Sequence, residues 1–268
     1  MKVLLIGDIV GRPGRVAVQR LIGPLREELG VDLVVANCEN AAGGAGITPS
    51  TAEDIFRAGA DVLTSGNHVW RKKEVFELLK LDHRVLRPAN YPDSAPGFGS
   101  VIVETLSGHK VGVLNLQGRV FMEPIDCPFR VAQKELERLR MVTPNIIVDM
   151  HAEATSEKVA LGWFLDGKVS CVVGTHTHIQ TADERILPGG TAFMTDLGMT
   201  GPYDSVIGRK VDQILERFMN GYPTKSEVAE SNIQLRGALV EIEPKTGKAT
   251  RIERVARGIE ERVSGIER

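Results

Sequence analysis

The sequence predicts an α/β fold with mixed strand pairing, on three observations. Short apolar runs alternate with amphipathic stretches early and late in the chain, the rhythm of strands and helices laid down in turn. Apolar runs joined by short turns at the middle and the end require antiparallel neighbours, hence a mixed sheet or two sheets. Polar residues recur where the apolar runs stop, which is where open α/β sheets build their sites.

Residues 3–6 read as a buried strand that stops at Gly7-Asp8. After Pro13-Gly14 a helical period runs through Val16, Val18, Leu21, Ile22, Leu25 and Leu29 and closes at Gly30. Residues 33–36 form a second strand ending in Asn37-Cys38-Glu39-Asn40, and a glycine-rich loop over 41–46 leads to a helix starting at Thr48-Pro49-Ser50. A third strand, 61–64, gives way to Ser65-Gly66-Asn67-His68. A helix over 71–79 is followed by Pro88, Pro92 and Pro96, which mark an irregular connection. Residues 101–106 and 110–116 form a hairpin, and 117–128 a longer loop. The helical period returns through Val131, Leu136 and Leu139, and a strand over 145–150 delivers His151. A helix over 155–165 precedes a strand over 168–173, which reaches Gly174-Thr175-His176-Thr177-His178. Residues 185–187 and 191–194 pair through Pro188-Gly189-Gly190, and the glycine-containing loop over 195–208 is expected to be mobile and near function. A helix over 210–219 and a hairpin of 234–242 with 249–255 complete the pattern. No internal repeat or clear linker interrupts it, so one domain is the simpler reading.

Composition sets limits. At 42% hydrophobic and 25% charged residues over 268 positions, the chain is an ordinary globular protein with length to bury a core. With 33 basic against 35 acidic residues there is no global field to hold a polyanion such as duplex DNA. Cys38, Cys127 and Cys171 are odd in number and lack CxxC spacing, which favours a reducing compartment and disfavours a thiolate metal cage. No apolar run reaches the roughly 20 residues of a membrane span, and residues 1–6 meet Gly7-Asp8 too early for a signal peptide. A cytoplasmic protein without a membrane role is expected.

The histidines point to chemistry. His176 and His178 are two residues apart, so an extended backbone would turn both rings to one side. Converging imidazoles at the end of a buried strand suggest a metal. Of six histidines, His68, His151, His176 and His178 sit at strand ends, whereas His83 and His109 sit in connections. Asp8, Glu39, Asn40 and Asn67 stand at the same level. Each has a plain structural alternative, Asp8 as a helix cap and Asn67 as a turn residue, but all would have to coincide. Cys38 reads as a small buried side chain. The loop over 41–46 lets backbone amides approach a phosphate but lacks the Walker lysine. Tyr203 is a candidate for stacking on a base, with an ordinary lid residue as the alternative.

In order and context, Gly7-Asp8, Gly66-Asn67-His68, His151 and Gly174-Thr175-His176-Thr177-His178 resemble the signature blocks of the calcineurin-like metallophosphoesterases. Asn37-Cys38-Glu39-Asn40 and Gly66-Asn67-His68-Val69-Trp70 are similar to the variants of the YmdB-like bacterial branch. Three positions depart from the wider superfamily: Val10 stands where most members have a metal-binding histidine, Glu39 where most have a bridging aspartate, and Val69 where an acidic residue is usual. The resemblance implies two mixed β-sheets flanked by helices, an αββα sandwich, in one domain over residues 1–268. It further implies two divalent or trivalent metal ions, with Asp8, Glu39, Asn40 and His178 at one and Glu39, Asn67, His151 and His176 at the other. The oxygen and nitrogen ligand set suits iron or manganese, with zinc as the alternative.

Two metal ions about 3.5 to 4 Å apart neutralise a phosphodiester and lower the pKa of bound water towards ~7. A metal-bridging hydroxide would then attack phosphorus. His68, beside Asn67 but pointing the other way, is the candidate to protonate the departing oxygen or steady a phosphoryl oxygen. The resemblance implies a phosphodiesterase acting on small nucleotides, with 2′,3′-cyclic nucleotides as the leading substrate, Asn40, Asn67, His68 and Tyr203 as substrate contacts, and a link to RNA and homo-oligomerisation left open. The alternatives are a regulatory nucleotide- or RNA-binding module with little turnover and a metal-dependent amide hydrolase.

Overall fold

The computed structural model describes residues 1–259. Residues 3–6 and 33–36 are apolar at every position because both faces of their sheet are covered, as in buried parallel strands. In β1 (Lys2–Ile6), Leu4 and Ile6 face outward onto α1 (Gly11–Leu29), where Val18, Ile22 and Leu25 meet them. Val3 and Leu5 face inward. The inward layer meets Val113, Ile147 and Val173 of a second sheet, so one apolar core separates the sheets. The second sheet repeats the arrangement: its other face packs Leu114, Val148 and Val172 against Leu136, Leu139, Leu161 and Leu165. The layers are helix, sheet, sheet, helix, and the expected αββα sandwich of two mixed sheets is present.

The first sheet contains β1, β2 (Asp8–Ile9), β3 (Leu33–Asn37), β4 (Val62–Thr64), β11 (Met199–Pro202), β12 (Ile233–Ile242) and β13 (Ala249–Gly258). Its order is β2-β11-β12-β1-β3-β4, with β13 also on β12. β1, β3 and β4 run parallel, while β12 is antiparallel to β1 and β13. α1, α2 (Pro49–Arg57) and α3 (Val75–Leu81) lie on this side. The start of α2 is a capping box between Thr48 and Thr51 with Pro49 in the first turn, as the sequence predicts.

The second sheet, in the order β5-β6-β7-β8-β10-β9, contains β5 (Ser100–Glu104), β6 (Lys110–Gln117), β7 (Ile146–His151), β8 (Cys171–Thr175), β9 (Arg185–Ile186) and β10 (Ala192–Met194). It is covered by α4 (Pro128–Arg140) and α5 (Thr155–Leu165). β6, β7 and β8 are parallel, and both expected hairpins, β5 with β6 and β9 with β10, are formed. α6 (Val211–Asn220) rests on the surface with Ile214 as its buried residue.

Three expectations need correction. The helix expected over 71–79 forms only at Val75–Leu81, after a single tight turn at Val69–Arg71. The first helix starts at Gly11, two residues before Pro13. The loop expected to be mobile over 195–208 contains β11, which pairs in parallel with β2 and antiparallel with β12, and residues 195–202 are buried throughout. A buried backbone must satisfy its hydrogen bonds, so this stretch is held by the sheet. The two-residue β2 and the Gly201-Pro202 end of β11 leave too short a pattern to read as strands.

Candidate metal centre

Parallel register places the polar strand ends of both sheets at one level. Ile6 pairs with Ala36 and Asn37 with Thr64 in the first sheet; Gln117 pairs with His151 and His151 with Thr175 in the second. The residues just beyond those ends therefore converge across the sandwich. Asp8, Glu39, Asn40, His151 and His178 are buried, and Asn67, His68 and His176 are partly so. The sheets approach so closely that a Cβ at Gly66 would overlap the His151 ring and Glu39 Oε2. Only glycine fits there.

The doublet that suggested a metal is not extended. β8 ends at Thr175, and His176 and His178 take positive φ values of 96° and 65°, conformations that cost a non-glycine residue about 1 kcal/mol or more each. The rings diverge from one turn instead of sharing one side of a strand. Asp196 holds that turn: its Oδ2 accepts hydrogen bonds from Thr177 N at 3.2 Å, Thr177 Oγ1 at 2.7 Å and the buried Lys158 Nζ at 2.6 Å.

Outer partners fix which nitrogen of each imidazole carries its proton. His178 Nδ1 faces the Ile207 carbonyl at 3.0 Å, an acceptor only, so it is the donor. His176 Nε2 faces the Glu153 carboxylate at 3.1 Å and is the donor there. Thr175 Oγ1 donates to Asp149 Oδ1 at 2.8 Å and accepts from His151 Nδ1 at 2.9 Å. Thr64 Oγ1 and Asn37 Nδ2 donate to Asp149 Oδ2 at 2.5 and 3.1 Å. In the neutral imidazoles that metal binding requires, the remaining nitrogens, His151 Nε2, His176 Nδ1 and His178 Nε2, turn inward with their lone pairs. This is the arrangement by which outer partners orient metal-binding histidines.

Inward, acceptors meet acceptors. His151 Nε2 lies 3.0 Å from Glu39 Oε2, 3.2 Å from Asn67 Oδ1 and 3.0 Å from His176 Nδ1, and His178 Nε2 lies 3.8 Å from Asp8 Oδ1. Donor atoms of Glu39, His151 and His176 all lie within 4.8 Å of one another. Asp8 Oδ1 is buried without any hydrogen-bond partner, a costly state for a carboxylate oxygen unless a cation meets it. The Glu39, His151 and His176 donors fit a metal ion, with the Asp8 carboxylate and His178 Nε2 as further donors 3.8 Å from each other.

Electrostatics agree. Burial, the dominant cause, pushes Asp8 up to about 6. Burial also opposes ionisation of Glu39, but His151 and His68 hold its carboxyl well below the usual range. Burial works against a charged His151, yet Glu39, Asp8 and Asp149 raise it to about 9. Burial and then His151 push His176 down to about 3. The carboxylates thus hold a proton on one imidazole where a metal ion would sit.

His68 stands apart at the cleft. Its Nδ1 is 2.8 Å from Asn40 Oδ1 and 3.3 Å from Glu39 Oε1, and its Nε2 has no protein partner among the described residues. Asn40 presents its amide nitrogen to the centre, 3.0 Å from Glu39 Oε1 and 3.1 Å from His178 Nε2. The expected ligand role needs that amide reversed, which would turn Nδ2 to His68 Nδ1; the two orientations are isosteric. A cleft of about 280 Å³ opens over the centre, walled by Val10, Gly44, Glu153, Ile207 and Arg209 together with Glu39, Asn40, His68 and the histidine turn.

Tyr203 is not brought to this cleft: its hydroxyl donates to the Met199 carbonyl at 2.9 Å and its ring lies under the Arg236 guanidinium. Asp8 does not cap α1, whose N-cap is Val10 without a side-chain bond. Cys38 is buried with its thiol on the Thr64 carbonyl, and burial raises its pKa further from reactivity. Sequence reasoning missed Asp149, Thr175, Glu153, Asp196 and Arg209. Asp149 alone carried a signal, a charge inside an otherwise apolar strand.

Two facing mixed sheets with a ligand centre across their strand ends define the calcineurin-like metallophosphoesterase fold. Within that class, the chain belongs to the YmdB-like protein family, whose model matches residues 4–255. It is 46% identical over 255 residues to the 2′,3′-cyclic-nucleotide 2′-phosphodiesterase of Bacillus subtilis strain 168, covering 95% of this chain and 96% of that protein. Among solved structures it is similar to a hypothetical protein from Thermus thermophilus, with a TM-score of 0.91 and 40% identity over 96% of this chain and 99% of that one. A structure described as a novel phosphatase from Mycoplasma pneumoniae aligns with a TM-score of 0.90 and 34% identity, covering 96% of this chain and 93% of that one.

Proposed function

We propose that this protein is a phosphoesterase, specifically a dinuclear metal-dependent phosphodiesterase that hydrolyses 2′,3′-cyclic nucleotides. The observation that carries the reading is the partnerless buried Asp8 Oδ1, 3.8 Å from His178 Nε2, beside the cluster of Glu39, His151 and His176 donor atoms. The name of the Bacillus subtilis relative supports the substrate class. Asp8, Glu39, Asn40 and His178 would hold one ion and Glu39, Asn67, His151 and His176 the other, with iron or manganese preferred on ligand chemistry. Bound there, the ions would supply charge neutralisation and acidify a water.

The chain's own residues do the rest. Asp149 through Thr175, Glu153 and the Ile207 carbonyl keep the three imidazoles in ligand orientation. With the Asn40 amide turned to bind a metal, its Nδ2 donates to His68 Nδ1, and the Nε2–H of His68, which has no protein partner among the described residues, is the proton passed to the departing ribose oxygen. As water oxygen joins phosphorus, the P–O bond to that ribose oxygen breaks and the ring opens to a phosphomonoester. Such cyclic phosphates form when a ribose 2′-hydroxyl attacks its neighbouring phosphodiester, which ties the activity to RNA breakdown. No helix among the described residues is long and apolar enough to cross a membrane; the free cysteines support a reducing, cytoplasmic setting, and the core shared by the two sheets supports one domain.

The test is turnover by the manganese-loaded protein, first of bis-p-nitrophenyl phosphate and then of a panel of cyclic and linear nucleotides. Preferential opening of 2′,3′-cyclic nucleotides is expected. Nucleotide binding without turnover across the panel would replace this reading with a binding module.

A further inference from the structure

We propose that Arg209 is the substrate-phosphate clamp of the cleft, a fixed guanidinium that binds a phosphoryl oxygen opposite the metal centre. The inference rests on the phosphodiesterase reading for its substrate but on the structure for its placement. Arg209 forms part of the same cleft wall as Glu39, Asn40, His68 and His178. Its guanidinium is half buried and has no carboxylate partner among the described residues; what holds it are two backbone carbonyls, Gly44 O at 2.7 Å from Nη2 and Ser226 O at 3.3 Å from Nη1. A guanidinium has five N–H donors, so two of five are used and three remain. A partly desolvated cation without a counter-charge is unfavourable by itself, and burial lowers its pKa in keeping with that. An anion in the cleft supplies the missing charge.

The mounting is rigid on both sides. Val206 and Arg209 exchange backbone hydrogen bonds at 2.9 and 3.0 Å, Arg209 bridges to Val228, and Gly208 takes a φ of 96° between them. The neighbouring Ile207 carbonyl receives His178 Nδ1. One short turn therefore orients a candidate metal ligand and holds a cation in the cleft wall. A side chain on Gly44 would strike the guanidinium, so the glycine loop is shaped to Arg209. The remaining N–H groups suit the forked geometry by which arginine binds phosphate.

The experiment compares the manganese-loaded wild type with Arg209→Lys, which keeps the charge, and Arg209→Gln, which keeps amide donors but loses it. Inorganic phosphate binding is measured by calorimetry, alongside metal content, thermal midpoint and the KM and kcat for bis-p-nitrophenyl phosphate. A charge-assisted hydrogen bond of the usual strength corresponds to a roughly ten- to hundredfold change in affinity. Arg209→Gln is expected to weaken phosphate binding and raise KM by that factor with metal content unchanged, while Arg209→Lys recovers part of the loss. Phosphate affinity in Arg209→Gln within threefold of wild type overturns the inference, as does weakening that follows a parallel loss of metal and thermal stability in both variants. Phosphate binding that depends on Arg209 in a protein without diesterase turnover would sustain the clamp and reject the phosphodiesterase reading. Diesterase turnover indifferent to both substitutions would do the reverse.

Discussion

Asp149→Asn is expected to weaken metal binding although Asp149 touches no metal position. The carboxylate accepts three hydrogen bonds, from Thr175 Oγ1 on Oδ1 and from Thr64 Oγ1 and Asn37 Nδ2 on Oδ2. A carboxamide has one acceptor oxygen and two N–H donors, so it cannot accept at both ends. If its nitrogen faces Thr175, the hydroxyl must accept there and send its own proton to His151 Nδ1, 2.9 Å away. The imidazole proton then moves to Nε2 and occupies the lone pair that faces Glu39. If its nitrogen faces Thr64 and Asn37, two amide groups oppose each other as donors in a buried site. Either way one buried charge-assisted hydrogen bond is lost or reversed, about 1.5 to 3 kcal/mol. That matches the roughly 10- to 100-fold loss of metal affinity typical when a histidine's outer partner is altered. The assay is manganese titration by calorimetry, with circular dichroism to show that the fold persists. Affinity within threefold of wild type in a folded Asp149→Asn protein would refute the tautomer argument.

Three further outcomes follow from the same geometry. His68→Ala should retain both metals and lose roughly 10² to 10⁴ in rate, whereas Glu39→Ala should lose metal and activity together; equal metal loss in the two variants would abolish the division of roles, as read by elemental analysis beside turnover. Gly66→Ala places a methyl against the His151 ring and Glu39, so a destabilisation of about 1 to 3 kcal/mol with loss of metal is expected in denaturant unfolding, and an unperturbed midpoint with full metal content would show that the strand ends can separate. In the metal-free protein, His151 has its folded pKa raised to about 9, so its contribution is complete below the unfolded value of about 6.5 and disappears as pH rises through 9, a loss of at most about 3 kcal/mol. Asp8, raised to about 6, loses stability in the same direction at lower pH; thermal unfolding of metal-free protein should therefore fall between pH 6.5 and 9 while the metal-loaded protein does not, and matching profiles would contradict the assignment.

Much of the fold is legible because residues 3–6, 33–36 and 145–150 are buried on both faces and so are almost wholly apolar. The site is legible for the complementary reason, since Asp8, Glu39, Asn67 and His151 break those runs where the parallel strands end together. What fails is what depends on distant chain. The same-side expectation for His176 and His178 fails because β8 stops at Thr175 and Asp196, from 18 positions beyond His178 in the chain, bends the turn through Thr177. Strand β11 escapes notice because its partner β2 has two residues and its own pattern ends in Gly201-Pro202. Arg209 resembles any surface arginine until the chain returns at Ser226 and Val228 to hold it over the cleft. Tyr203 shows the opposite error: an aromatic in a glycine-containing segment suggests a lid, but Arg236 and the Met199 carbonyl keep it elsewhere.

The most direct measurement is metal location and stoichiometry in protein never exposed to chelator, by elemental analysis together with anomalous diffraction from crystals grown with manganese. Two ions per chain are expected, one beside Asp8 and His178 and one beside His151 and His176, with Glu39 touching both. No metal, or metal bound only outside this cluster, would contradict a dinuclear centre.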